Sequence, residues 1–279
     1  MKELENLKKA ILDEYPRLDE NSSFTFHCHK GVSCFNECCG DVNIFLTPYD
    51  IIRLKSRLGI TSGEFLAKYT ISPFDEKLRY PVVMLRMEEN EKKSCPFVTE
   101  DGCSVYEDRP WACRMFPLGL ASPKDGSTQL DDEFYFLLKD GICKGFEEKK
   151  TQTVSEWIKD QGIDDYTELG EMFKDIALHD KMQTGDAMPP EKVEMFFMVA
   201  YNIDRFRDFV FKSTFLKKFE IDESTVKSIE NDDVELLKFG FGFLRFALFG
   251  EDTLKIRTDV LEDKKRQIQE KMQKNKASN

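Results

Sequence analysis

The chain has 279 residues, is 41% hydrophobic and 33% charged, and sets 52 Asp and Glu against 41 Lys and Arg for a formal net charge of −11. That balance suits a soluble globular protein and works against phosphate-backbone binding, which depends on clustered lysine and arginine. No apolar run is long enough to span a bilayer, so neither nucleic acid nor a membrane is expected as a partner, and the length is read as two modest domains.

In chain order, Leu4, Leu7, Ile11 and Leu12 follow helical spacing over Lys2–Tyr15, and Pro16 supplies a stop. This N-terminal stretch lacks the basic region, apolar core and small-residue cleavage site of a secretory signal, so a cytoplasmic location is expected. The run HCHKGVSCFNECCG follows, with Cys28, Cys34, Cys38 and Cys39. Val42–Leu46 has strand character. Thr47 then reads as a helix N-cap, with Pro48 first in the helix, Asp50 third, and Gly59 as the C-terminal cap. Thr61–Glu64 repeats the start signal as a capping box, and Pro81–Met87 reads as a strand.

Cys95 and Cys103 flank the turn-rich VTEDG, which predicts a hairpin with one thiol on either side, and CSVY after the turn has strand character. Pro110 and Pro117 bracket WACRMF and limit it to a short helical turn carrying Cys113. Gln129–Leu138 contains FYFLL, a predicted strand, before Gly141 and Cys143. From about Lys149 the composition shifts to phenylalanine-rich helical patterns over Val154–Gln161, Asp164–Met182, a long helix from Pro189 and Pro190 through NIDRFRDFVFKSTFLKKF, and Asp232–Phe249. The predicted fold is α+β: a small loop-rich, cysteine-coordinated metal domain with short strands and helices over 1–148, an all-α region over 149–262 and a polar tail over 263–279.

All eight cysteines fall between Cys28 and Cys143. Thiolates repel and resist desolvation, so crowding them is favourable when they are oxidised to disulfides or neutralised by a soft cation. In a reducing cytoplasm the metal reading takes precedence over structural disulfides. Cys28, Cys34, Cys38, Cys39, Cys95, Cys103, Cys113 and Cys143 are therefore the candidate ligands. His27 and His29 come second, because eight thiolates do not require them. Arg109 and Arg114 are candidates for fixed charge beside the thiolates, or for salt bridges to Glu107, Asp108 or Asp131–Glu133. Tyr106 is a candidate donor to sulfur or a core residue. His179 reads as a surface histidine, and Gly240 and Gly242 in FGFGF lack the context of a phosphate loop.

The combination of Cys28, Cys34, Cys38, Cys39 and Gly40 with CPF at Cys95–Phe97, GCSVY at Gly102–Tyr106 and RPWACRMFP at Arg109–Pro117 resembles the YkgJ-type cysteine-cluster proteins. Their shared CxxCxxCC domain is described as zinc- or iron-chelating, and flagellin lysine N-methylases are relatives with a similar cluster. The resemblance implies a zinc or iron–sulfur cofactor. It supports an accessory or structural metal protein with a partner-binding helical half, or alternatively a metal-dependent protein-modifying enzyme like the N-methylases. No methyl-donor motif is recognisable. Spacing leaves zinc and iron–sulfur open. Adjacent Cys38 and Cys39 do not readily converge on one ion, so the two cysteine groups are expected to combine into a joined site.

Overall fold

The computed structural model describes residues 16–73, 80–121, 133–139, 141–184, 188–263 and 266. The helix expected over Lys2–Tyr15 and most of the tail lie outside the described residues. The fold is α+β, with short strands in small antiparallel sheets and helices dominating the later part of the chain. The chain forms two compact units.

The first unit draws on residues within 1–59, 67–75 and 82–171. Strand β1 (Ser23–Thr25) leads to the cysteine loop and then to β2 (Phe45–Leu46), which is shorter than the expected Val42–Leu46. Helix α1 (Pro48–Leu58) starts as expected: Thr47 Oγ1 accepts from Asp50 N at 3.1 Å, Asp50 Oδ2 accepts from Thr47 N at 2.7 Å, and Gly59 closes the helix in the left-handed conformation. Helix α2 (Ser62–Tyr69) has its Thr61–Glu64 capping box, with Thr61 N donating to Glu64 at 2.8 Å. Strands β3 (Thr70–Ile71) and β4 (Val83–Leu85) pair, and β2 also pairs with β4.

The hairpin is present as β5 (Val98–Thr99) and β6 (Gly102–Cys103), with Val98 opposite Cys103. Extended structure stops there. Val105 is buried and the chain turns into a 3-10 segment at Tyr106–Asp108, so CSVY does not continue as a strand. Helix α3 (Trp111–Met115) is the short turn that its flanking prolines allow. Strands β7 (Leu118–Ala121) and β8 (Phe134–Leu137) pair, and β9 (Thr151–Thr153) returns to β1.

Helix α4 (Val154–Asp160) has its own capping box from Thr153 and Glu156. The core of this unit joins Phe24 and Phe26 to Met115, Leu118, Val154, Trp157 and Ile163. Phe26 meets Trp157, Phe116 and Phe146 edge-on at centroid distances of 5.6, 5.9 and 5.2 Å. Because Trp157 and Ile163 complete this core, the compact unit runs on to Glu171, past the compositional shift near Lys149.

One continuous helix over Asp164–Met182 is not what forms. Helix α5 (Asp164–Ala177) stops, and α6 (Asp180–Thr184) restarts with His179 Nδ1 accepting from Lys181 N at 3.1 Å. The His179 ring also stacks on Phe249 at 3.7 Å, so this residue ends and caps helices as a half-buried group, not a free surface histidine.

The second unit draws on 60–66, 76–81 and 172–279. The long helix expected from Pro190 is likewise divided. Helix α7 (Pro190–Tyr201) ends at Asn202, whose side chain accepts from Arg205 N and starts α8 (Ile203–Lys212), followed by α9 (Phe215–Lys218). A polar residue inside an otherwise apolar pattern is the reason for the break. Strand β10 (Phe219–Glu220) pairs with β11 (Lys255–Ile256), and α10 (Glu223–Asn231) and α11 (Asp233–Leu244) lie between them in sequence.

The phenylalanines make core, as their spacing suggests: Phe196, Phe206 and Phe241 are buried, and Phe206 stacks near Phe239 and Phe243. Gly240 has a packing role. A Cβ there would lie 2.8 Å from Val199 and 2.9 Å from Phe206, so its absence lets α11 approach α7 and α8. No helix among the described residues is long and apolar enough to cross a membrane.

Candidate metal centre

All eight cysteines belong to the first unit, and none is in a disulfide. The first cysteine loop is stitched to two distant segments. His27 N donates to Gly145 O at 3.0 Å and Lys144 N donates to Cys34 Sγ at 3.0 Å, which brings Cys143 beside Cys28 and Cys34. At the loop's other end, Cys95 N donates to Cys39 O at 2.7 Å, Asp41 N donates to Lys93 O at 3.1 Å, and Gly40 bridges to Ser94. Gly40 is required for this approach, because a Cβ there would lie 2.7 Å from Lys92 O. Cys38 and Cys39 sit in one 3-10 turn, Glu37–Cys39.

The electrostatics record which thiols are neighbours. Burial pushes the Cys28 thiol up to about 11, with further repulsion from Cys38, Cys143 and Cys34. Cys39 is raised first by its hydrogen bond with Cys38, then by burial and by repulsion from Cys38, Cys95 and Cys113. Burial also pushes Cys113 up to about 12, with Cys95, Asp50 and Cys103 adding to the rise and Arg109 opposing it. Cys28 and Cys113 are nevertheless exposed as residues. Neighbouring atoms crowd each sulfur without sealing the residue from solvent.

Cys95 and Cys103 are raised chiefly by burial, offset by backbone N–H groups that stabilise the thiolates: Phe97 and Val98 at Cys95, and Val105 at Cys103. Amides aimed at sulfur are the support that thiolate–metal centres use.

Arg109 lies beside Cys103 and Cys113, as the fixed-charge reading requires. Its guanidinium sits 3.8 Å over the Tyr106 ring, donates to Tyr106 O at 2.5 Å and bonds Gln161 Oε1. Tyr106 is 52% exposed, so it serves as a platform for Arg109 and not as a core residue. Arg114 is one layer further back. It donates to the carbonyls of Arg109 at 3.1 Å, Gln161 at 2.6 Å and Glu107, and lies 4.6 Å over Tyr166.

The alternative salt bridge to Asp108 is taken by Arg53, at 2.6 Å. Both buried arginines spend their donors mainly on backbone and amide oxygens, and the charge of Arg109 acts on Cys103 and Cys113.

Two positioning residues carry no local sequence signal for this role. Asp50 is fully buried; besides capping α1 it accepts from Trp111 N at 2.8 Å, so it fixes the start of the helix that carries Cys113. Burial raises its carboxyl to about 6 against four hydrogen-bonding and charge contributions that lower it. Gln161 holds Arg109 through its side chain and Arg114 through its carbonyl.

Among the described residues, the trio of candidate ligand atoms lying within 4.8 Å of one another is His27, His29 and Glu148. Within it, both ring nitrogens of His29 already have partners. Gly31 N donates to His29 Nδ1 at 3.0 Å, which makes Nδ1 the acceptor and leaves the neutral ring's proton on Nε2, 3.4 Å from Glu148. A ligand nitrogen needs a free lone pair, and neither ring nitrogen of His29 offers one in this arrangement.

The thiols are neighbours and not a closed cage. A zinc ion with Zn–S bonds near 2.3 Å needs sulfurs about 3.8 Å apart, so zinc binding draws these loops inward, whereas an iron–sulfur cluster spans a wider set. The donor chemistry fits either group: eight cysteines outside any disulfide, several of them desolvated and repelled by neighbouring thiols, with directed N–H donors and a buried guanidinium beside them.

Residues 27–144 match the model of the CxxCxxCC family, described as "Putative zinc- or iron-chelating domain". No curated protein and no solved structure matches the chain.

Proposed function

We propose that the CxxCxxCC segment makes this chain a cytoplasmic metal-binding protein, in which the cysteines hold zinc or iron, the latter as an iron–sulfur cluster, and the metal maintains the fold of the first unit. The observation that carries this reading is the gathering of eight cysteines outside any disulfide, among which the ionisation of Cys28, Cys39 and Cys113 is opposed by burial and by neighbouring thiols. A cation between them removes both penalties. Arg109 and the amides of Phe97, Val98, Val105 and Lys144 support the charge of the bound thiolates.

The second unit has an apolar core built from its own helices and needs no cation to hold it. We assign it the engagement of a protein partner, with the metal in an accessory, structural role. Limited proteolysis before and after chelation tests this division. Chelation is expected to open new cleavage sites within 27–144 while residues 190–256 stay intact. Equal resistance of both regions with and without chelator would reject a structural role for the metal.

A further inference from the structure

We infer that the adjacent thiols of Cys38 and Cys39 form a bidentate binding site for trivalent arsenic, taken up as arsenite. This use of the pair lies beyond the zinc- or iron-holding reading above and stands or falls separately from it.

Preorganisation supplies the first argument. Neighbouring side chains ordinarily diverge, yet the Cys38 and Cys39 thiols are hydrogen-bonded to each other. The 3-10 turn that carries them, Glu37–Cys39, is held at both ends. Cys39 N donates to Asn36 O at 3.0 Å and Gly40 N to Glu37 O at 3.3 Å, while Cys95 N donates to Cys39 O at 2.7 Å. Asn36, in the left-handed conformation at the entrance to the turn, is tied down by its Nδ2, which donates to Thr99 O at 2.9 Å. The two sulfurs are in contact before any ligand arrives.

The number of converging sulfurs decides the ligand. Among the described residues, no cysteine belongs to a set of three candidate ligand atoms lying within 4.8 Å of one another. Zinc and iron–sulfur clusters take four protein ligands, so either of them needs further cysteines drawn in from other loops. Trivalent arsenic is a soft centre that makes three pyramidal bonds, and two thiolates with one hydroxyl complete it. The pair as it stands supplies that set.

A direct S–S bond is the competing use of the pair. Disulfides ordinarily join Cα atoms about 4.4–6.8 Å apart, whereas consecutive Cα atoms across a trans peptide are about 3.8 Å apart. The Cys38–Cys39 peptide is trans. Closing the ring through sulfur alone is therefore disfavoured, and an arsenic atom between the sulfurs enlarges the ring.

Uptake is a ligand exchange without redox change. Two As–OH bonds of arsenous acid break and two As–S bonds form. The departing hydroxyls leave as water with the two thiol protons, and arsenic keeps its third hydroxyl. Arsenous acid is uncharged at neutral pH, so the Glu37 and Asp41 carboxylates flanking the pair do not repel it. Access is open: Cys38 is exposed, and Cys39 walls a cleft of about 430 Å³ together with Phe35, Gly40 and Val98.

The test adds one equivalent of sodium arsenite to the reduced full chain, both as purified anaerobically and after anaerobic dialysis against a chelator, and counts bound arsenic by native mass spectrometry. One arsenic per chain is expected in at least one of these forms. Cys38→Ser and Cys39→Ser should each weaken uptake by about a hundredfold or more, because the remaining thiol loses the second attachment. Cys103→Ser and Cys143→Ser should leave it unchanged. On the wild type after dialysis, which needs no variant to fold, arsenite should protect Cys38 and Cys39 from iodoacetamide while the remaining cysteines stay labelled. Absence of arsenic from both forms, protection of any set other than this pair, or undiminished uptake by Cys38→Ser and Cys39→Ser overturns the assignment.

Discussion

Replacing Arg114 by methionine should destabilise the first unit by about 2–5 kcal/mol. The guanidinium is buried and donates to three carbonyls, those of Arg109 at 3.1 Å, Gln161 at 2.6 Å and Glu107. Methionine keeps much of the volume but supplies no donor. The Arg109 and Gln161 carbonyls lose their guanidinium donor, while Glu107 O keeps a long contact of 3.5 Å from Arg53. Two to three under-satisfied carbonyls at about 2 kcal/mol each give a gross cost of about 4–6 kcal/mol.

Against this, removing one of two neighbouring buried cations relieves repulsion and desolvation. Arg109 is lowered first by burial and then, among the opposing charges, by Arg114. An offset of about 1–2 kcal/mol leaves the stated loss. For a unit of this size it corresponds to a fall of roughly 4–20 °C in melting temperature. Urea unfolding of the metal-replete protein at pH 7, followed by Trp157 fluorescence, measures it. Arg114→Lys should recover little, because one ammonium cannot reproduce the fork across separated carbonyls. A methionine variant within about 0.5 kcal/mol of wild type, or complete rescue by lysine, would refute the reasoning.

Gly240→Ala should cost about 1–3 kcal/mol in the second unit by calorimetry, because the new methyl meets Val199 and Phe206 at under 3 Å, while elemental analysis should show no change in metal content. Asp50→Asn leaves one of the Thr47 and Trp111 amides without its acceptor; a loss of roughly 1–3 kcal/mol is expected by urea unfolding, together with faster metal transfer from the protein to a chelator as α3 loosens. Metal affinity should rise with pH and continue rising past 9.0, the ordinary thiol value, because Cys28 and Cys113 hold their protons to about 11 and 12 and must release them on binding. Zinc competition against a chelator of known pH dependence checks the sign; a plateau below pH 9 would contradict it.

Local chemistry was the legible part of the fold. The caps at Thr47 and Thr61 use residues three apart, and the α3 turn is fixed by prolines on either side, so each is decided within a short window. The apolar stripes failed to reveal two interruptions because periodicity averages over single residues. Asn202 and His179 each use a side chain to start a new helix inside an otherwise helical pattern.

For the site, cysteine identity marked the candidates and the Cys38–Cys39 adjacency pointed to a joined arrangement. The grouping itself depends on contacts such as Lys144 with Cys34, Cys95 with Cys39, Trp111 with Asp50 and Arg109 with Gln161. These are set by tertiary folding, and no spacing rule within one sequence encodes them. The pairing of β1 with β9 and the core around Trp157 are of the same kind, which is why the first unit extends past the compositional boundary.

Elemental analysis of the full chain purified under anaerobic conditions, with its absorption spectrum, tests the central claim most directly. The account predicts bound zinc or iron in a fixed ratio to protein: a colourless zinc form, or a visible charge-transfer band if iron–sulfur clusters are present. A folded chain that carries neither metal and takes up neither on anaerobic reconstitution would contradict it.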